Sequence, residues 1–320
     1  MKEAKEGLKV FDGFAGYGGA TFGLNKAGIS HEVVGFSEIL PQAITLYELN
    51  HKGIKNYGDI NKINPEELPD FDLFTGGFPC QAFSSAGIMK GEEDHRGILF
   101  YEIIRIAEVK KPRYMLLENV KGLTTKRFKY TFEKILSELK RIGYHVHWSV
   151  LNSKSYGIPQ NRERVWFVCF REREDYEKFE FPEKEELKIF FKDLLEKNPD
   201  KKYYKNQEQA ERLIEITGVN LDVKEPSCFD IYNKKIRTDG ISITLTEPHH
   251  NTLRVVEPIV DGEYRVRKMT EKEHFRFMGF KDGEIDLDGL SYTQACRAAG
   301  NGWDINVASR IFKKMFRVIF

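Results

Sequence analysis

The sequence predicts an α/β fold, in which a doubly wound, mostly parallel sheet is joined to a second, smaller domain of irregular and β structure. The first half of the 320-residue chain alternates short apolar runs with amphipathic segments, which is typical of βαβ units. After residue 170 the chain becomes charged and weakly periodic, and amphipathic segments return near its end. We expect a first domain at 1–185, completed by 291–320, and a second at 186–290.

Short apolar runs predict the six strands of the first domain. They are residues 8–11, 32–36, 71–75, 114–117, 146–151 and 165–170. Apolar residues at helical spacing predict four helices between them, at 20–27, 41–50, 98–109 and 130–142. The residues before Asp59 fit a further short strand.

Residues 171–264 are weakly periodic, and five prolines interrupt them, so we expect few long regular elements there. A β-like piece at 240–246 is an exception. Helical spacing resumes at 270–278, 292–299 and 305–316, and the last of these is apolar enough to pack back onto the first domain.

Composition narrows the class of protein. The net charge of +1 neither favours nor excludes nucleic acid. The four cysteines are far apart and form no CxxC pair, which argues against a zinc site and against a disulfide framework. No apolar run reaches the roughly 18 residues of a membrane helix, and the start lacks a signal peptide's apolar region. We expect a cytoplasmic protein that uses no metal and no membrane.

Unusual residues follow the predicted strands, where ligands bind in open α/β sheets. Residues 11–19 form a glycine-rich turn that a backbone could use to approach a ligand closely, although a purely structural turn is the alternative. Thr21 replaces the third glycine of a dinucleotide fingerprint, which disfavours a nicotinamide oxidoreductase. Glu38 follows Gly18 by 38 − 18 = 20 residues, the spacing of a ribose-binding acid, and Asp59 is a candidate for the adenine side.

Two further strand ends carry reactive groups. Cys80 lies on a proline-bounded turn, where a thiol of lowered pKa would be a nucleophile, although a buried, inert cysteine is the alternative. Residues 86–96 are interpreted as a loop that could cover a substrate. Glu118 ends an apolar strand, which favours a raised pKa and a role in proton donation over a helix-capping role. Arg162 and Arg164 alternate on an extended segment, so both could face one ligand.

Together these residues resemble the C5-cytosine DNA methyltransferases. Five motifs occur in family order: FAGYGG at 14–19, GFPCQAFS at 77–84, ENV at 118–120, QNRER at 160–164 and a block from Gln294 to Asn301. The resemblance spans the chain and implies an S-adenosylmethionine-dependent methyltransferase sheet with a target-recognition domain at about 171–264.

The resemblance also implies residue roles. Cys80 would be the nucleophile, Glu118 would contact N3 and N4 of the cytosine, and Arg162 and Arg164 would support the catalytic arrangement. The residues implied to bind S-adenosylmethionine are Phe14, Gly16, Gly18, Glu38, Asp59, Ile60, Pro79, Leu99 and Asn301. Those implied to contact DNA are Gln81, Ser84 and Thr244.

The sequence thus predicts a monomeric DNA (cytosine-5-)-methyltransferase that flips its target base out of double-stranded DNA. Whether a restriction endonuclease acts on the same sequence stays open. A tRNA cytosine-5 methyltransferase is the alternative, and a catalytically silent DNA-binding relative is disfavoured because Cys80 and Glu118 are both present. The chain departs from the family pattern at Lys272, where an arginine is usual, and at Gly302 and Trp303, where Ser-Val is usual.

Overall fold

The structure is a computed structural model that describes residues 7–79, 99–220, 222–247, 252–259 and 263–317. These residues divide into two compact units. The first draws its described residues from Met1–Leu151, Glu163–Glu183 and Val307–Phe320, and the second from Asn152–Arg162 and Lys184–Asn306. Residues 152–162 and 291–306 therefore group with the second unit rather than with the predicted first domain.

A six-stranded sheet forms the centre of the first unit. Its strands are β1 (Leu8–Gly13), β2 (His31–Ser37), β3 (Leu73–Gly77), β4 (Tyr114–Val120), β5 (His145–Asn152) and β6 (Glu163–Phe170). Their order is β2-β1-β3-β4-β6-β5. Strand β1 is parallel to β2 and β3, and β3 is parallel to β4, whereas β6 is antiparallel to β4. The predicted sheet and its six strands are confirmed.

Helices cover this sheet. They are α1 (Gly19–Ala27), α2 (Pro41–Asn50), α3 (Leu99–Lys110), α4 (Lys129–Arg141) and the short α5 (Arg173–Glu177). Phe11, Phe74, Leu117 and Phe167 of the sheet and Ile103 of α3 belong to one core and are fully buried. Burial of such apolar side chains is the main force that holds helices on a sheet.

In its described residues, the second unit contains a four-stranded antiparallel sheet and three α-helices. The strands are β7 (Ser227–Asp230), β8 (Lys235–Arg237), β9 (Leu253–Pro258) and β10 (Tyr264–Arg267), in the order β10-β9-β7-β8. The helices are α6 (Gln207–Thr217), α7 (Glu271–Arg276) and α8 (Tyr292–Asn301). Arg267 is fully buried in this unit and binds the carboxylates of Glu257 and Glu273.

The last helix, α9 (Ile305–Phe316), returns to the first unit from Val307 onward. A Cβ built on Gly23 of α1 would lie 3.0 Å from the Cβ of Ala308 and 3.2 Å from the ring of Phe312. The ring of Phe316 also meets Tyr114 edge-on at 5.1 Å. The prediction that this helix packs back onto the first domain is confirmed.

Three local predictions are wrong. Residues 240–246 form no strand, because the amide of Leu245 bonds the side chain of Gln160 and only Ser242 makes a β-bridge. The short strand before Asp59 is a single bridge between Phe36 and Asn56. Helix α6 interrupts a stretch expected to lack long elements.

Candidate active site

Three adjacent strands bring the predicted site residues of the first unit to one edge of the sheet. Gly13 at the end of β1 pairs with Gly76 of β3, and Gly77 pairs with Glu118 of β4. The glycine-rich turn, the start of the turn toward Cys80 and Glu118 therefore leave the sheet side by side. This edge is where open α/β sheets bind ligands.

The glycine-rich turn follows a left-handed backbone path. Phe14, Gly16 and Gly18 have φ angles of 57°, 56° and 84°. A phenylalanine in this region is strained, and such strain is concentrated at functional turns. Gly18 is the N-cap of α1, and a Cβ built on it would lie 2.4 Å from Nε2 of His51. The fold therefore requires glycine at position 18 for both conformation and space.

Glu38 is tied to this turn. Its Oε2 accepts a hydrogen bond from the Gly16 amide at 2.9 Å, and its Oε1 accepts from the amides of Ile39 and Leu40. The side chain of Asn56 accepts from Glu38 N at 3.2 Å and donates to Glu38 O at 3.1 Å. Sequence reasoning missed Asn56, because it lies 18 residues away on a connecting segment without a motif.

Asp59 caps the short 3-10 helix Ile60–Lys62. Hydrogen bonds from the side chain and the amide of Asn61 hold the pKa of Asp59 below its usual value, so its carboxylate is ionised at neutral pH. Ile60 itself is buried in the core, whereas Ile39, beside Glu38, is 63% exposed. Ile39 is thus an apolar candidate for ligand contact that the sequence analysis missed.

The nucleophile turn is described only as far as Pro79. Phe78 is buried, Pro79 is exposed, and Leu99 lies partly buried at the start of α3. Asn119 donates a buried hydrogen bond of 2.9 Å to the carbonyl of Phe78, so the ENV motif anchors the chain just before Pro79, where the description stops. The predicted residues Cys80, Gln81 and Ser84 and the predicted covering loop at 86–96 lie outside the described residues.

Glu118 has a fixed position at the end of β4. Its Oε1 lies 2.9 Å from Nε of Arg164, which is on the neighbouring strand β6. Glu118 is 9% exposed, so this ion pair forms away from bulk water. A charge-assisted hydrogen bond of this kind fixes the orientation of a carboxylate.

Arg162, Thr244 and Asn301 lie in the second unit. Buried Arg162 donates to the carbonyls of Leu245, Gly300 and Gly302 at 2.8 to 3.0 Å. Its surroundings thus differ from those of Arg164, although the sequence suggested that both face one ligand. The carbonyl of Gly302, one of the departures from the family pattern, is part of this arrangement.

The other two residues have polar partners within the second unit. Thr244 Oγ1 donates to the carbonyl of Asn161 at 2.6 Å, and exposed Asn301 donates to Glu247 at 3.0 Å. Gln160 is fully buried. Its side-chain oxygen accepts a hydrogen bond from the amide of Leu245, and its side-chain nitrogen donates to the carbonyl of Phe277. The QNRER motif therefore organises the backbone around Thr244.

Three cysteines are unsuited to nucleophilic attack. Cys169, Cys228 and Cys296 are buried, and burial raises the pKa of each thiol. Within the described ranges, no group of three or more acidic, histidine or cysteine side chains is placed to hold a metal ion. No helix in those ranges is long and apolar enough to cross a membrane.

Comparisons with known proteins identify the family of this chain. A family model described as C-5 cytosine-specific DNA methylase matches residues 8–317. The type II methyltransferase M2.ScrFI of Lactococcus lactis subsp. cremoris is 33% identical over 97% of this chain and 99% of its own length. The type II methyltransferase M.HhaI of Haemophilus parahaemolyticus is 35% identical, over 95% and 93% respectively.

The solved structure of the Dnmt2 methyltransferase of S. pombe has a TM-score of 0.70 and covers 97% of this chain and 98% of its own. At 21% identity it shows the fold alone. The sheet, the site and the two type II relatives define a DNA cytosine-5 methyltransferase. The chain belongs to the C-5 cytosine-specific DNA methylase family, as its five motifs predicted.

Proposed function

We propose that this protein transfers a methyl group from S-adenosylmethionine to carbon 5 of a cytosine in a specific double-stranded DNA sequence, through a transient bond between Cys80 and carbon 6. The observation that carries the proposal is the Glu118–Arg164 ion pair, which stands beside the strand whose turn leads to Cys80. A fixed acid and a thiol at one sheet edge are the two groups that this chemistry requires.

The edge of the first unit fits the cofactor. Glu38 and Asp59 supply carboxylates for the ribose hydroxyls and the adenine amino group, and Ile39 supplies an apolar surface for the adenine ring. A Cβ built on Gly16 meets nothing within 4 Å, so the turn has open space for close approach. When bound, S-adenosylmethionine supplies a methyl group activated by a positively charged sulfur.

The remaining proposed pocket residues are Phe14, Gly18, Ile60, Pro79, Leu99 and Asn301. Phe14 and Gly18 shape the turn, Pro79 and Leu99 flank the approach to the nucleophile, and Ile60 supports Asp59 from the core.

Cys80 and Glu118 supply the chemistry at the base. Carbon 5 of cytosine is a poor nucleophile while the ring is aromatic. A bond from the Cys80 thiolate to carbon 6, with Glu118 stabilising a proton at N3, makes carbon 5 electron-rich. After carbon 5 is methylated, loss of its proton and departure of the thiolate restore the aromatic ring. The thiolate must reach carbon 6 from above the ring, so the base leaves the stack.

Arg164 acts through Glu118 and keeps its carboxylate oriented. Arg162 acts through backbone, since it binds three carbonyls of the second unit. Both are therefore proposed as positioning residues. Gln81 and Ser84, which follow the nucleophile, are proposed to contact DNA.

The second unit is proposed to recognise the DNA sequence. A groove of about 590 Å³ in this unit is lined by polar side chains that include Asn161, Asn233, Arg237 and Thr244. Amide, guanidinium and hydroxyl groups are those that read base edges. Thr244 keeps acceptor capacity, because it uses its hydroxyl hydrogen on Asn161.

The two relatives are named as type II methyltransferases, which favours a restriction endonuclease acting on the same sequence as the partner of this enzyme. We propose that the enzyme acts as a monomer on chromosomal DNA in the cytoplasm.

The test is transfer of labelled methyl groups from S-adenosylmethionine to duplex DNA and to tRNA in competition. We expect label in duplex DNA for the wild type and none for Cys80→Ala, with mapping of the product giving one sequence context. Equal activity of Cys80→Ala, or label in tRNA alone, would contradict the proposal.

A further inference from the structure

One buried hydrogen bond links the two strands that carry the proposed cofactor turn and the nucleophile turn. Asp12 of β1 and Thr75 of β3 are partners in the sheet register, and Thr75 Oγ1 donates to Asp12 Oδ1 at 2.7 Å. Asp12 is 2% exposed and Thr75 is fully buried. Strand β1 ends at Gly13, one residue after Asp12, and the FAGYGG motif at 14–19 follows it, whereas Gly76 and Gly77, which lead toward Cys80, directly follow Thr75.

These turns are packed too closely to move independently where they leave the sheet. A Cβ built on Gly76 would lie 3.0 Å from the carbonyl oxygen of Gly13. A change in the spacing of β1 and β3 at this level therefore changes the position of one turn relative to the other. The Asp12–Thr75 bond is the side-chain contact that fixes that spacing.

The surroundings of Asp12 favour a neutral carboxyl group. Among the described residues its Oδ2 is buried and has no hydrogen-bond partner. The titratable groups that act on it are Glu38, after β2, and Tyr47, on α2. Burial, together with the negative charge of Glu38, raises the pKa of Asp12 to about 8, against the opposing effect of the Thr75 hydrogen bond.

We propose that Asp12, as a neutral carboxylic acid bonded to Thr75, is a positioning residue that holds the cofactor turn in register with the segment from Gly76 to Pro79, which leads toward Cys80. Ionisation of Asp12 places a second negative charge behind the glycine-rich turn, where Glu38 is already bonded to Gly16. A buried charge without a counter-ion is costly, so the strand ends rearrange and the cofactor binds less well. This inference rests on the proposed function, since it assigns the glycine-rich turn to the cofactor.

The experiment is calorimetric binding of S-adenosylhomocysteine between pH 6.5 and 9.5, which does not depend on catalysis. If only the protonated form binds, a pKa of about 8 leaves about a tenth of the protein competent at pH 9, so the wild-type Kd rises about tenfold from its low-pH value. Asp12→Asn keeps a neutral side chain of the same shape. The amino group of the ligand titrates in the same way with both proteins. For each protein the Kd at pH 9 is divided by the Kd at low pH, and the wild-type ratio divided by the D12N ratio then gives the effect of Asp12 alone.

Thr75→Val provides a second variant. Because the Thr75 hydrogen bond lowers the pKa of Asp12, its removal moves the alkaline midpoint of binding to higher pH. A purely structural role would weaken binding without moving this midpoint. The wild-type profile tests the proposal even if one variant fails to fold.

Equal alkaline loss in wild type and D12N, or no loss in wild type, overturns the inference. Absence of binding at every pH overturns it together with the proposed cofactor site. If binding shows the predicted alkaline loss but the protein transfers no methyl group, the proposed function alone is overturned.

Discussion

The carboxylate of Glu118 and the guanidinium of Arg164 form an ion pair with an Oε1 to Nε distance of 2.9 Å, and 11% and 17% of their side chains are exposed. Strand β6 runs antiparallel to β4 and thereby brings Arg164 next to Glu118. The antiparallel pairing of β6 with β4 therefore supplies the guanidinium that binds the Glu118 carboxylate.

Arg164→Ala should lower kcat by about 10²-fold, since a misplaced proton-bearing group loses most of its catalytic contribution. Cofactor affinity should change little, because Arg164 bonds Glu118 rather than the glycine-rich turn. In a Glu118→Gln background the same substitution should add almost nothing, as residues that act as a unit are not additive. Steady-state kinetics of the wild type, the two single variants and the double variant measure this. If the two losses in kcat multiply in the double variant, Arg164 acts independently of Glu118.

Gly18→Ala should weaken cofactor binding and destabilise the protein more than Gly28→Ala does. Both glycines have positive φ, 84° and 72°, and alanine costs about 1–2 kcal/mol in such a conformation. Only at position 18 would the new methyl group also meet His51, whereas position 28 has nothing within 4 Å. Urea unfolding should therefore separate the variants by about 1 kcal/mol or more. Equal losses would mean that the imidazole moves away freely.

Native protein at pH 8 should react with iodoacetamide at one thiol. Burial raises the pKa of Cys228 and Cys296 to about 12 and that of Cys169 further, so the thiolate fraction of these groups is negligible at pH 8. Mass spectrometry should find one label in wild type and none in Cys80→Ala, with four and three labels after unfolding in urea, since the chain has four cysteines. Rapid native labelling of Cys80→Ala would contradict the burial of the other thiols.

Arg267→Met should lower the free energy of unfolding by about 3–5 kcal/mol, because it leaves the buried carboxylate of Glu273 without its cation and leaves Glu257 with only the half-exposed Arg265. Arg267 bonds Glu257 at 2.6 Å and Glu273 at 2.8 Å with its side chain fully buried. The matched control is Arg173→Met, which removes an ion pair with 78% and 57% exposed side chains and should cost less than about 1 kcal/mol. Similar effects of both variants would show that the buried cluster contributes no more than a surface pair.

Sequence patterns predicted the first unit well because its elements carry local signals. Helix α2 begins at Pro41 and ends at Asn50, as expected, and strand ends fell within a few residues of the predicted limits. The second unit was harder, since its strands are only three to six residues long and carry little periodic signal. Helix α6 did have a local signal, the Asn206 and Gln209 capping box with Gly218 as its C-cap, which proline-based reasoning overrode.

The candidate site divides in the same way. Motifs predicted Glu118 and Glu38, because Glu118 lies in the last residues of β4 and Glu38 directly follows β2. Asn56 and His51 carry no such signal, since their importance comes from the residues that they contact in space. Arg162 and Arg164 show the limit of periodicity, which predicted one shared direction although the chain passes from one unit to the other between them.

The central claim is a covalent bond between Cys80 and the target base. Duplex DNA carrying 5-fluorocytosine at the mapped target should trap this bond in the presence of S-adenosylmethionine, because fluorine at carbon 5 cannot leave as a proton does. We predict a denaturation-resistant complex with wild-type protein and none with Cys80→Ser, and peptide mapping should place the base on Cys80. Methylation of ordinary DNA without a trapped complex, or a complex that persists in Cys80→Ser, would contradict the account.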